Sequence, residues 1–195
     1  WETLVHEKDI DQTNAVLTLN NIVSVYNNEQ KFPEMDAYCI SKLYADWKGL
    51  SQTAITTALS VDNILDTIDD MFVDQSEHRV TPTGRILYVT PTVAKLIRNA
   101  RAIDRQISIS NFGGRVTRDV NAIDNVIIEE VPSELMQTAY DFSEGWKKGV
   151  SAKQINMLLV DPNAVITPVS YSAARLDPPS AGSKNKWVYF EESYE

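Results

Sequence analysis

Residues 85–100 read RILYVTPTVAKLIRNA, and this stretch decides the fold class. Its first six residues are rich in branched and aromatic side chains, the composition of a buried strand. Pro82 and Gly84 mark a turn just before it. Thr90-Pro91 is then a helix-opening signal, because proline has no N–H to lose in a first turn and its fixed φ already suits one. Beyond it Val93, Leu96, Ile97 and Ala100 recur at helical spacing, while Lys95, Arg98 and Arg101 point the other way. A strand that runs straight into an amphipathic helix predicts a mixed α+β core.

The flanking sequence extends this pattern. Downstream, residues 126–131 (VIIEEV) predict a strand stopped by Pro132, and residues 155–160 (INMLLV) another stopped by Asp161-Pro162. The tail reads as Pro-rich irregular chain over 177–182 and a last strand over 187–190. Upstream, Ser60 is expected to cap a helix with the stripe Ile64, Leu65, Ile68, Met71 and Phe72, with Asp62 in its first turn. The N-terminal third predicts two helices. The first, capped by Asp11, carries Ala15, Leu19, Ile22, Val23 and Tyr26, and Asn27-Asn28 favours a break after it. The second starts near Pro33, carries Ala37, Ile40, Tyr44 and Trp47, and ends on Gly49 as its C′ residue. Tyr38, Tyr44 and Trp47 are expected to bury a wide face of it.

Composition narrows the function classes. With 43% hydrophobic and 23% charged residues in 195, the chain is an ordinary globular protein and not a disordered one. No apolar run approaches the length needed to span a bilayer. One cysteine, Cys39, excludes an internal disulfide and a zinc site of several thiolates. A net charge of −9 argues against a nucleic-acid-binding domain, whose phosphate contacts need a basic surface. The chain opens on Trp1, so it is expected to be an excerpt or a processed product.

Charge is nevertheless segregated. Residues 61–80 hold 1 basic and 6 acidic groups, and residues 81–120 hold 7 and 2, which suggests complementary faces within the fold or between copies. The acidic set is Asp62, Asp66, Asp69 and Asp70, with Asp62, Asp66 and Asp69 expected on one helix face. They would suit a hard cation if they converged, and otherwise form the solvated side of an amphipathic helix. The basic set is Lys95, Arg98, Arg101 and Arg105, with Arg115 and Arg118 beyond, and no aromatic residues interleave with it for stacking on bases. Other candidates read as structural. Asp9 and Asp11 lack the glycine and glutamate of a calcium loop and suit caps and turns. Cys39, mid-helix and away from a helix N-terminus, reads as a buried thiol and not as a nucleophile served by His6 or His78. Gly113-Gly114 fits no phosphate-loop pattern. No catalytic constellation, metal site or cofactor is expected.

Five stretches in consistent order resemble the major capsid (head) proteins of tailed bacteriophages, particularly the group in phages and prophages of Gram-positive bacteria. Residues 9–13 (DIDQT) are similar to that group's D-x-x-Q-T element, and residues 32–38 (FPEMDAY) to its PE-x-DAY opening of the long spine helix. Residues 85–91 (RILYVTP) resemble the strand that enters the axial-domain helix. Residues 123–133, with Val131-Pro132-Ser133, resemble the family's strand ending in vP, and residues 155–166 (INMLLVDPNAVI) its exit strand and turn. Asn125 stands where the family commonly has glycine, a change that left-handed asparagine tolerates.

The resemblance implies the capsid fold shared with encapsulins and the herpesvirus capsid floor, here without the N-terminal arm and extended loop. Residues 1–58 would belong to a peripheral domain with its spine helix, residues 59–166 to an axial domain, and residues 167–195 to the return into the peripheral domain. The implied role is structural and non-enzymatic. Many copies would form an icosahedral head in the bacterial cytoplasm and remain in the virion. Partners would be neighbouring copies, with scaffolding and portal proteins, enclosing double-stranded DNA without specific binding and without a membrane. Asp66, Asp69 and Asp70 of one subunit would then face Lys95, Arg98, Arg101 and Arg105 of its neighbour. The alternatives are an encapsulin-like compartment shell, a head or tail adaptor module and, least of all, a carboxylate-dependent hydrolase.

Overall fold

The computed structural model describes residues 1–12, 18–100, 108–109, 116–117, 122–123, 126–143, 145–167 and 171–194. The chain is mixed α+β and divides into two compact units, Trp1–Asp36 with Thr167–Glu195, and Ala37–Ile166. In chain order the elements are β1 (Glu2–Val5), α1 (Glu7–Gln12), α2 (Leu19–Tyr26), α3 (Phe32–Gly49), α4 (Ile64–Glu77), β2 (Ile86–Val89) and α5 (Pro91–Asn99). There follow β3 (Ser108–Ile109), β4 (Val116–Thr117), β5 (Ala122–Ile123), β6 (Val126–Glu130), β7 (Tyr140–Asp141), β8 (Lys147–Lys148), β9 (Met157–Val160), β10 (Tyr171–Asp177) and β11 (Trp187–Tyr194).

The unit formed by the chain's two ends is built on an antiparallel sheet ordered β1-β11-β10. Sequence reading found only part of β11 and neither edge strand; β10 begins within the tail and runs to Asp177, so irregular chain is confined to the connection after it. Asp11 lies inside α1 and is not a cap; Asp9 accepts the His6 N–H at 3.4 Å at that helix's start, and Thr18 caps α2 by accepting the Asn21 N–H at 3.4 Å. Ala15 falls outside the described residues. Asn27-Asn28 does not break the helix. Residues Asn27–Lys31 form a π-helical turn that joins α2 to α3 without interruption. A widened turn immediately upstream is where the ring and missing N–H of Pro33 are tolerated inside a continuing helix.

Glu191 organises this unit. It is buried, and its carboxylate accepts hydrogen bonds from Lys31 Nζ, from the Trp1 indole at 3.3 Å and from the Tyr189 hydroxyl at 3.0 Å. The Trp1 ring stacks on Tyr26 with centroids 4.1 Å apart. Burial opposes ionisation of Glu191, but the hydrogen bonds and the charge of Lys31 outweigh it and hold the carboxyl below its ordinary value. A depressed carboxyl stabilises the fold above its unfolded pKa, and that stability is lost as pH falls through the folded value. Hydrogen exchange at β11 amides is therefore expected to quicken as pH drops below the ordinary carboxylate range, after correction for intrinsic rates. Glu191→Gln should remove that dependence while lowering protection at neutral pH.

The second unit holds the main core. Its four-stranded sheet has the order β5-β6-β2-β9, with β2 parallel to β6 and the other pairs antiparallel. A parallel neighbour requires a crossover, and α5 lies in the connection from β2 to β6. Leu87 and Val89 of β2, Val126 of β6, Ile64 and Ile68 of α4, and Val93, Ala94 and Ile97 of α5 form one buried cluster. The strand-then-helix reading of residues 85–100 thus holds. Thr90 is the α5 N-cap by backbone position, but its hydroxyl makes no capping bond.

Three local expectations in this unit need correcting. Gly49 is still helical, and the left-handed residue that ends α3 is Ser51, at φ 62°, whose N–H closes on the Lys48 carbonyl at 3.0 Å. Asn63, not Ser60, is the N-cap residue of α4. Its side chain accepts the Ser60 N–H at 2.7 Å and donates to the Ala58 carbonyl at 2.9 Å, tying down the incoming chain, and Asp62 precedes the helix. Tyr38 and Trp47 of α3 are exposed, and only Ala37 of the expected stripe is buried.

The C-terminus of α4 ends in a Schellman turn. The Val80 N–H reaches the Gln75 carbonyl at 3.0 Å, the Arg79 N–H reaches Ser76 at 3.0 Å, and Arg79 takes the left-handed position at φ 65°. Arg79→Gly removes the Cβ conflict of that conformation and is expected to stabilise the unit by about 0.5–1 kcal/mol, read as a raised urea midpoint.

Candidate functional site

The sequence-predicted acidic face is real, with a changed membership. At 100° per residue along α4, Asp69, Val73, Asp66, Glu77 and Asp70 fall within about 100° of arc on the side away from Ile64 and Ile68, Asp74 lies at its edge beside Thr67, and all six are exposed. Asp62 is not part of this helical face. At its C-terminal end His78 lies 3.6 Å from Asp74. Asp66, Asp70 and Glu77 form no ion pair among the described residues. Val73, 59% exposed, sits at the centre of this ring of carboxylates. Among the described residues no group of three or more metal-ligating side chains converges.

The basic face is only partly described. Lys95 is exposed on α5. Arg98 is half-exposed and donates to the Glu130 carboxylate at 2.7 Å, a bond from α5 to the end of β6. Arg101, Arg105, Arg115, Arg118 and Gly113-Gly114 lie outside the described residues. Arg98 is thus engaged within its own chain.

A third feature escaped the sequence reading. The connection from β6 to β9 carries the β7–β8 hairpin, paired Tyr140 to Lys148 and Asp141 to Lys147. Tyr140 packs near Phe142 and Trp146, with centroids 5.9 and 6.2 Å away, and the Tyr38 ring of α3 meets Phe142 edge-on at 5.7 Å. Beneath it Gln137 and Gln154 lock the hairpin's base. The Gln137 amide donates to Gln154 Oε1 at 2.6 Å, and the Gln154 amide donates to the Met136 carbonyl at 2.8 Å. β8 supplies Lys147 and Lys148, and the turn that follows it, on the way back to the hairpin's base, carries Lys153 and Val150, which is fully exposed. The alternation of aromatic residues with Gly145 and Gly149 was the available signal.

Cys39 is half-buried within α3, not the fully buried thiol expected. His6 Nδ1 accepts the Lys8 N–H at 3.1 Å, and His78 caps the end of α4. No described helix is long and apolar enough to cross a membrane. Exposed apolar side chains are instead concentrated after residue 37, where Tyr38, Trp47, Leu50 and Ile55 follow one another along α3 and the segment after it. Comparison with protein-family models, curated proteins and solved structures gives no match for this chain.

Proposed function

We propose that this chain is the shell-forming part of a major-capsid-type subunit, which assembles with copies of itself into an icosahedral phage head around double-stranded DNA. The observation that carries the reading is the succession of exposed apolar side chains along α3 and the segment after it, Tyr38, Trp47, Leu50 and Ile55. A helix that opens with FPEMDAY and leaves Tyr38, Trp47 and Leu50 in solvent presents the kind of apolar surface that subunits bury against neighbours. The ordered sequence elements support the same reading. So does the joining of the two chain ends in one unit, as a peripheral domain would have, although that unit stops at Asp36 and not at residue 58 and leaves most of α3 in the other. Repeated heterologous contacts that close into rings would build the shell. In this role the protein is structural and not an enzyme, needs no cofactor, is assembled in the host cytoplasm with scaffolding and portal proteins, and resides in the virion.

Light scattering on the natural-length chain tests the reading. Particles far larger than a subunit are expected. Trp47→Glu should abolish them while the unassembled chain stays folded, at a cost of no more than about 2 kcal/mol for a side chain that is 38% exposed. Assembly indifferent to Trp47→Glu would count against the helix as a contact surface.

A further inference from the structure

We infer that the lysine-flanked turn after β8 (Gly149–Lys153), at the base of the β7–β8 hairpin, docks in one copy on the exposed face of α4 of a second copy, a contact that rests on the self-assembly reading above. The two surfaces are complementary in charge and in pattern. Residues 145–153 (GWKKGVSAK) contain three lysines and no acidic residue, in a chain of net charge −9. Residues 64–77 contain five acidic residues and no lysine or arginine. Each face carries an exposed valine among its charges, fully exposed Val150 in the turn after β8 and 59% exposed Val73 on the helix. An apolar contact ringed by opposite charges excludes water at its middle and is steered by its rim.

The turn is built to hold that shape. The Gly149 N–H bonds to the Ala139 carbonyl at 3.1 Å, the Ala152 N–H to Gly149 at 3.0 Å, and the Lys153 N–H to the Thr138 hydroxyl at 2.9 Å. A side chain at Gly149 would stand 3.3 Å from the Ala139 oxygen, so the turn is tight there. The ring cluster of Tyr140, Phe142 and Trp146 holds the hairpin that leads into it. Ordering little on contact keeps the entropic cost of docking low. Two observations favour a second copy over nucleic acid. The aromatic rings pack on one another instead of offering free stacking faces. The acidic face of α4 would repel phosphates. Arg98, bonded to Glu130, is the weaker competitor for the carboxylates.

The test uses the full chain. Sedimentation at low salt is expected to show self-association that Lys148→Glu with Lys153→Glu weakens at least tenfold, and that Asp66→Lys with Asp70→Lys weakens as much. Combining all four reversals in one chain should restore it, which a merely misfolded variant would not do. In a Cys39→Ser background, copies carrying Val150→Cys should form a disulfide with copies carrying Val73→Cys. Reversals without effect, no rescue by the combination, or a wild-type chain that stays monomeric would overturn the contact. So would a hairpin that binds a single-stranded oligonucleotide, lost on lysine reversal, while self-association is unchanged. Shells that assemble normally with both faces reversed would sink this contact and leave the shell reading standing. Docked pairs from a natural-length chain that never closes a shell would support the contact and reject the shell.

Discussion

Replacing Arg85 by methionine is expected to cost the Ala37–Ile166 unit about 3–5 kcal/mol, the loss typical of removing one partner from a buried charged network. Arg85 is 2% exposed at the entry to β2. Its guanidinium donates to the carbonyls of Thr81 at 2.9 Å, Phe72 at 3.2 Å and Val80 at 2.6 Å, and to the Ser76 hydroxyl at 3.1 Å. These acceptors lie in the last turns of α4 and in the segment just after it, where the helix's negative dipole end favours a cation. One side chain thus ties the end of α4 and the following segment to the strand. Without it the buried carbonyls lose charge-assisted bonds and a void opens. Arg85→Lys keeps the charge but loses the planar fork that reaches several acceptors at once, so it should recover only part of the loss. Hydrogen exchange at β2 amides measures both variants within this unit. A loss below about 1 kcal/mol for the methionine variant would mean that water replaces the guanidinium bonds.

Leu87→Ala has the second largest expected effect, about 3–4 kcal/mol, from lost burial plus a cavity that rigid neighbours cannot close. Leu87 is fully buried on the central strand, opposite Ile128 of β6 and Leu159 of β9, with α4 and α5 packed over the same cluster. One position along β6, Ile127 points to the other face and is 49% exposed. Ile127→Ala should therefore cost less than about 1.5 kcal/mol, since far less apolar surface leaves water there. Urea midpoints for the two variants give the comparison. Equal losses would contradict the assignment of the faces.

What was legible in the sequence follows from range. Periodic apolar patterns record local geometry, so β2, α5, β6, β9 and the buried stripe of α4 were all readable. The acidic face of α4 was readable as the complement of that stripe. What was not readable depends on distant partners. β10 contains Ser172, Ala173 and Ala174, poor strand formers that pair only because β11 runs beside them. Arg85 looked like an ordinary strand-start charge, since nothing local shows that four acceptors converge on it. Arg98 looked available to a neighbour because its partner Glu130 lies on β6, at the far end of the crossover. The π-helical turn escaped because asparagine's local preference for a break was overridden by continuous helix on both sides.

In the proposed shell role, the exposed apolar side chains of α3 and the charged surfaces of the middle unit would be buried against further copies of the same chain. Electron microscopy of the natural-length protein, produced with the neighbouring head genes, tests this most directly. Closed shells built from rings of subunits are the predicted result. A monodisperse, single-copy protein under those conditions would contradict it.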